Sequence, residues 1–287
     1  MDDAVLRQLS ELARLFNRLG IKPVICGGLG IYLCFHKRQG GAQSMIRATN
    51  DIDLMITKTQ VIEKSREKAI AEIITRKLDY VVREDGKYFR FTKAPNQQLD
   101  ILAQPMDVFP VEGHRVKFVR SKLHGRLTNE ARFIDEDLRT INLSAVLADD
   151  KTNDRIEVQV PSPTNLLILK LCAFEDRAQT DTERAQTHAF DVYITITLTT
   201  RDDYLEGQRF LARHTDAEEI RRVTSIIRDK FHSIDQPGWQ RVLETSSFYP
   251  ELNVQQRRGE LELARNRLVR WFTLSEHNHT SKTASTG

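Results

Sequence analysis

The stretch Pro23–Phe35, PVICGGLGIYLCF, and the hexapeptide Asp51–Ile56, DIDLMI, decide how this chain folds. Pro23 to Cys26 is a short apolar strand candidate, Gly27-Gly28 makes a turn, and Leu29 to Phe35 stays apolar over about two helical turns. Asp51–Ile56 alternates as far as Leu54 and is rich in aliphatic residues, which marks a strand. The order is strand, glycine turn, helix, second strand. Between them, residues 36–50 (HKRQGGAQSMIRATN) are polar and carry adjacent Gly40 and Gly41, so a loop that a ligand orders is expected.

On the N-terminal side, Val5, Leu9, Leu12, Leu15, Phe16 and Leu19 recur at helical spacing over Asp2–Leu19. On the C-terminal side, Lys58–Lys77 reads as a charged amphipathic helix. Short strand candidates follow at Tyr80–Val82, Tyr88–Phe91 and Leu99–Leu102, the first two joined by a Glu84-Asp85-Gly86 turn. Val116–Val119, Thr140–Leu143 and Ile156–Val160 extend the sheet. Pro161-Ser162-Pro163 breaks this pattern. Beyond it Leu166–Phe174, Phe190–Leu198, Tyr204–Arg213, Ala217–Phe231 and Arg257–Phe272 have helical character. Ser275–Gly287 lacks large apolar residues and is expected to be a disordered tail. The expected fold class is α+β: a mixed sheet flanked by helices over 1–160, then a mainly helical domain over 161–274.

At 287 residues and 40% hydrophobic content a sizeable core is feasible, which excludes a mainly disordered or fibrous chain. With 43 Lys+Arg against 40 Asp+Glu, the surplus of +3 is too small to bind nucleic acid by bulk charge, so such a partner must meet a local patch. Cys26, Cys34 and Cys172 are odd in number and lack metal-ligand spacing, which suggests neither a disulfide framework nor a zinc site and suits a reducing cytoplasm. Val24–Phe35 is far shorter than the roughly 20 residues that span a bilayer, and Met1-Asp2-Asp3 lacks a signal peptide's basic start. A cytoplasmic protein without a membrane partner is expected.

Side chains alternate along a strand, so Asp51 and Asp53 project from one face. Two like charges side by side need water, a cation or a metal, and paired carboxylates with substrate phosphates suit magnesium. A solvated strand end is the other reading. Asp100 lies inside the apolar strand candidate Leu99–Leu102 and must face solvent or find a cation. At Gly27-Gly28, backbone N–H groups can approach a phosphate at a helix N-terminus, or the glycines can simply make a tight turn.

Together, apolar-Gly-Gly, then Arg47-x-Thr49-x-Asp51-Ile52-Asp53-Leu54, then Asp100 on a later strand, resemble the nucleotidyltransferase superfamily. Leu166–Tyr193, with Lys170 in LLILKLCAFEDR and His188-Ala189-Phe190-Asp191-Val192-Tyr193, looks like its AbiEii/AbiGii toxin-like branch. The resemblance implies that residues 1–160 form the catalytic domain and that the helical domain completes its cleft. It implies that Gly27 and Gly28 hold the triphosphate of a nucleoside triphosphate, and that Asp51 and Asp53 bind Mg2+ or Mn2+. Asp100 would complete the metal site and help activate the acceptor hydroxyl, the three carboxylates holding two divalent ions. Lys170 would touch the phosphates, and Arg47 and Thr49 would line the pocket; Asp191 counts with the nucleotide-binding residues by orienting Lys170 or Arg177, a pairing that equally reads as an ordinary interhelical ion pair. This sequence departs from the pattern in its long spacing between Gly28 and Asp51 and in His188, which stands where many relatives carry an acid; His188 reads as a core or helix-surface residue.

In nucleotidyl transfer a hydroxyl attacks the α-phosphorus and pyrophosphate leaves, so position and charge suffice without a nucleophilic Ser or Cys. No Gly-x-Ser-x-Gly or P-loop sequence is present. Residues 114–126 (HRVKFVRSKLHGR) hold Arg115, Lys117, Arg120, Lys122 and Arg126 with no acid among them. That composition makes a phosphate-binding strip; alternation alone equally puts Arg115 and Lys117 on a solvated strand face opposite Val116 and Phe118. As a strip, it points to RNA such as tRNA as acceptor, ahead of a protein hydroxyl or an aminoglycoside-type small molecule. The resemblance places the chain as the toxin-like component of a bacterial toxin–antitoxin or phage-defence pair with a cognate antitoxin. The alternative is a catalytically silent relative that binds nucleotide or a partner.

Overall fold

In a computed structural model, the described residues are 3–38, 41–46, 49–61, 66–83, 89–93, 97–121, 123–147 and 155–273. The chain divides into two compact units, Met1–Lys170 and Leu171–Gly287. The expected break at Pro161–Pro163 is where a helix starts, since proline suits a first helical turn that has no N–H partner to lose.

The first unit opens with α1 (Asp3–Asn17), which buries Val5, Leu9, Leu12 and Phe16 along one stripe. Next come β1 (Val24–Ile25), α2 (Gly27–Phe35), the short α3 (Gly41–Ser44), β2 (Asp51–Ile56), α4 (Lys58–Val61) and α5 (Arg66–Glu72), the last running into a π-helical turn at Ile73–Lys77. Strands β3 (Val81–Val82), β4 (Arg90–Lys93), β5 (Gln97–Ala103), β6 (Val111–Glu112), β7 (Arg115–Lys117), β8 (His124–Leu127), β9 (Arg139–Asn142) and β10 (Glu157–Val160) complete the unit. Helix α6 (Pro163–Arg177) crosses the division between the units.

Among the described residues the strands form one mixed sheet of ten, in the order β6-β7-β8-β5-β2-β1-β10-β9, with β3 on β4 and β4 on β5. The fold is the expected α+β arrangement. β2 is central, antiparallel to β1 and parallel to β5. After Asp53 it is buried throughout, because a strand covered on both faces cannot alternate. β5 changes partner along its length: β4 pairs with Gln97–Asp100 and β8 with Leu102–Ala103. One sheet face carries Ile52, Leu54, Leu99, Ile101, Ala103 and Val116 into the main core with α1 and α2.

The second unit continues with α7 (Thr182–Leu198), α8 (Arg201–Arg213), α9 (Glu218–Ile226) with a π-helical end at Ile227–Phe231, α10 (Pro237–Leu243) and α11 (Val254–Phe272). The β-branched run in Phe190–Leu198 is helical because Asp181 caps α7, accepting from the Arg184 N–H at 3.1 Å, and burial of Val192, Ile194 and Ile196 outweighs their propensity. Trp239 donates its indole N–H to the Phe231 carbonyl at 2.7 Å and packs edge-on against the Phe231 ring. Among the described residues no helix is long and apolar enough to cross a membrane. The Glu84–Gly86 turn, Arg47, Lys122 and the expected tail lie outside the described residues.

Candidate active site

The start of β2 emerges from the core: Asp51 is exposed, Asp53 half-buried and Ile52 between them buried. Thr49 Oγ1 accepts from the Asp51 N–H at 3.3 Å and so steadies the entry to the strand. One strand over, the Cys26 N–H donates to the Asp53 carbonyl at 2.8 Å, which brings Asp53 beside the glycine turn. Gly27 has φ +65, a backbone that L side chains rarely adopt, and a Cβ there would collide with Asp53 Oδ2. Two independent reasons therefore require glycine at this position. α2 begins at Gly27 with no side-chain cap from Cys26, so its first N–H groups and the positive end of its dipole face the same end as Asp53. Gly28, in that first turn, is buried.

Strand register extends this site sideways. Asp53 pairs with Asp100 on β5, and Asp100 pairs with Arg90 on β4, so all three project from the face that carries Asp51. Arg90 Nε donates to both Asp100 oxygens at 3.0 and 3.2 Å, and its Nη2 donates to Oδ2 at 3.0 Å. Gln98 Nε2 adds a longer bond to Oδ1 at 3.3 Å. Both charged side chains are largely buried, at 14% and 12% exposed. The acid within an apolar strand thus finds its cation inside the chain. Arg90 is the member of this site that the sequence reading passed over.

Lys170 on α6 is 6% exposed. The buried Cys26 thiol is pushed well above its usual range, first by burial and next by the Asp53 charge, with Lys170 pulling it back down. Beneath them Met55 and Leu102 pack with Val24, Cys26, Ala131, Ile134 and Leu169 as an apolar floor.

Farther along the same face lies the basic segment. Leu102 pairs with Arg126, Arg126 with Arg115, and His124 with Lys117, so these four polar side chains share the sheet face of Asp53 and Asp100. The strip is less basic than its own residues suggest, because Glu112 on β6 pairs with Lys117 and, at 3.6 Å, with Arg115. Partial burial first, and then Arg115 and Lys117, hold the His124 pKa below its usual value. Asp191 is buried on α7 in the second unit, where Thr195 Oγ1 donates to its backbone carbonyl at 2.7 Å. His188, on the same helix, is half-buried.

Among the described residues no three His, Cys, Asp or Glu side chains cluster so as to hold a metal ion. The donor set nevertheless fits one hard cation: Asp51 and Asp53 offer oxygen ligands from one face, and Mg2+ is commonly held by one or two carboxylates with water and substrate phosphates completing its shell. Asp100, engaged at both oxygens by Arg90, is not open to a metal in this arrangement.

A glycine turn opens a helix beside paired strand carboxylates within a mixed sheet, as the resemblance to nucleotidyltransferases implies. The model of one family, described as "Nucleotidyl transferase AbiEii toxin, Type IV TA system", matches residues 9–258, and the chain belongs to that family. Among solved structures, that of the antibiotic-resistance factor ANT(2'')-Ia is similar at 14% identity, with 75% of this chain and 98% of that chain covered and a TM-score of 0.35. No curated protein matches the chain.

Proposed function

We propose that this protein transfers a nucleoside monophosphate from a nucleoside triphosphate to an acceptor hydroxyl, at the sheet face carrying Asp51, Asp53 and Asp100. The observation that carries this is the packing of the Asp53 carboxylate against Gly27 at the N-terminus of α2, an oxygen donor suited to a hard cation beside backbone N–H groups suited to a phosphate. Asp51 and Asp53 hold Mg2+ or Mn2+, which when bound supplies charge neutralisation at the reacting phosphate. Backbone N–H groups at Gly27 and Gly28 receive the triphosphate, and Lys170 adds a positive charge on the same side. Asp100, fixed by Arg90, orients the acceptor hydroxyl. Thr49 lines the nucleotide pocket.

RNA such as tRNA is the favoured acceptor, because Arg115, Lys117, His124 and Arg126 continue the carboxylate face along the sheet in a form suited to a phosphate backbone. The family assignment supports a toxin role opposed by a cognate antitoxin. The test incubates the protein with each α-labelled nucleoside triphosphate, Mg2+ and, in separate reactions, cellular RNA, cellular protein and aminoglycosides. Label in the RNA pool that is absent with Asp51→Ala is expected. Label confined to protein or aminoglycoside would overturn the acceptor assignment, and nucleotide binding without any transfer would favour a catalytically silent relative.

A further inference from the structure

Resting on the metal-binding role proposed for Asp51 and Asp53, we propose that Arg90 is a fixed cation of this site. It holds Asp100 as an ion-paired carboxylate that does not coordinate metal, so the chain binds one divalent cation where three open carboxylates would bind two. The warrant is geometric. Asp53, Asp100 and Arg90 form one row across three neighbouring strands. Adjacent strands lie about 4.7–4.9 Å apart, so Asp53 and Asp100 repel unless a positive charge sits with them. Arg90 supplies that charge with a two-pronged grip whose three bonds lie between 3.0 and 3.2 Å, the planar match of guanidinium to carboxylate.

Position on the sheet makes this cation permanent. β4 leaves β5 directly after the Arg90–Asp100 pair, where β8 takes over from Leu102, so Arg90 stands at a fixed corner of the ladder. The Ile101 N–H donates to the Phe89 carbonyl at 2.8 Å and pins the backbone next to the arginine. A metal reaching Asp100 would have to displace a largely buried guanidinium from its carboxylate. Arg90 acts through Asp100 and is therefore a positioning residue.

The test counts Mn2+ bound by the full chain, from the loss of the free-ion electron paramagnetic resonance signal on titration with Mn2+ alone. The wild type is expected to bind one equivalent. Asp53→Asn should weaken it by at least about tenfold, as loss of a ligand does, whereas Asp100→Asn should leave number and affinity unchanged. Arg90→Gln should open Asp100 and add a second equivalent, and the Arg90→Gln/Asp100→Asn double variant should remove that equivalent again. Two equivalents on the wild type, or a loss with Asp100→Asn equal to that with Asp53→Asn, would overturn the role of Arg90 while leaving the metal site intact. Mn2+ binding unaffected by Asp53→Asn would instead overturn the metal site itself, and the Arg90 proposal with it. Should Arg90→Gln fail to fold, Asp100→Asn still decides.

Discussion

Gly27→Ala should separate the two reasons for glycine at the head of α2. Gly20 provides the control, since it too has a positive φ, +70, but an added Cβ there meets nothing within 4 Å. Alanine at Gly20 bears only the left-handed backbone cost, about 1–2 kcal/mol, less about 0.4–1 kcal/mol returned through a stiffer unfolded chain. Gly27 has nearly the same φ, +65, and adds a collision with Asp53 Oδ2, with Asp53 Cβ at 3.2 Å from the new methyl. Overpacking of this kind costs about 1–3 kcal/mol, so Gly27→Ala should lose about 2–4 kcal/mol against about 1 kcal/mol for Gly20→Ala. Urea unfolding of both variants measures the difference. In an Asp53→Ala background the collision partner is gone, and Gly27→Ala should fall back toward the Gly20→Ala value, a coupling that a double-mutant cycle reads directly. Equal costs at the two glycines, or no recovery without the Asp53 carboxylate, would refute the placement of that carboxylate over the turn.

Further expectations concern the charged groups and the second unit. Asp100→Ala should destabilise the fold by about 3 kcal/mol, because it removes the carboxylate that the mostly buried Arg90 guanidinium grips; a loss below about 1 kcal/mol in urea unfolding would mean that the pair is solvated. Asp51→Ala, at an exposed strand end, should leave the melting temperature unchanged while abolishing transfer; a large drop in melting temperature would count against a metal-binding role. The His124 pKa is lowered in the folded state, so the unfolded chain binds more protons as pH falls through the ordinary histidine range, and this residue's contribution to stability declines there. An NMR titration placing His124 at or above the ordinary value of about 6.5 would contradict the burial and the two neighbouring cations. Trp239→Phe should cost about 1–3 kcal/mol by leaving the Phe231 carbonyl unpaired in the core, and a neutral result would show that water reaches that carbonyl.

The parts of the site closest in sequence were the most legible. Pro23–Phe35 contains a strand, a turn and a helix within one short segment, and Asp51 with Asp53 share a face by strand geometry alone. Asp100 was recognisable as an acid in need of a cation because Leu99, Ile101 and Leu102 surround it. Its partner was not, since finding Arg90 requires the register of β4 on β5, and no periodicity within one strand fixes its register against another. The same limit applies to the basic segment. Alternation puts Arg115 and Lys117 on one face, but only β7–β8–β5 pairing shows that this is also the face of Asp53, and only β6 brings Glu112 against them. The proline pair at 161–163 reads as the change from strands to helical periodicity, and α6 opens there. Neither β8 nor α10 was anticipated, for each is too short to show a period of its own.

The most direct test of the central claim follows two labels through one reaction: nucleoside triphosphate labelled at the α- or the γ-phosphate, with cellular RNA and Mg2+, for the wild type and for Asp53→Ala. Nucleotidyl transfer at this face predicts that α-label enters the RNA while γ-label leaves as pyrophosphate, and that chelation of the metal or loss of Asp53 abolishes both. Transfer of the γ-label to an acceptor, or α-label transfer that persists in Asp53→Ala, would contradict it.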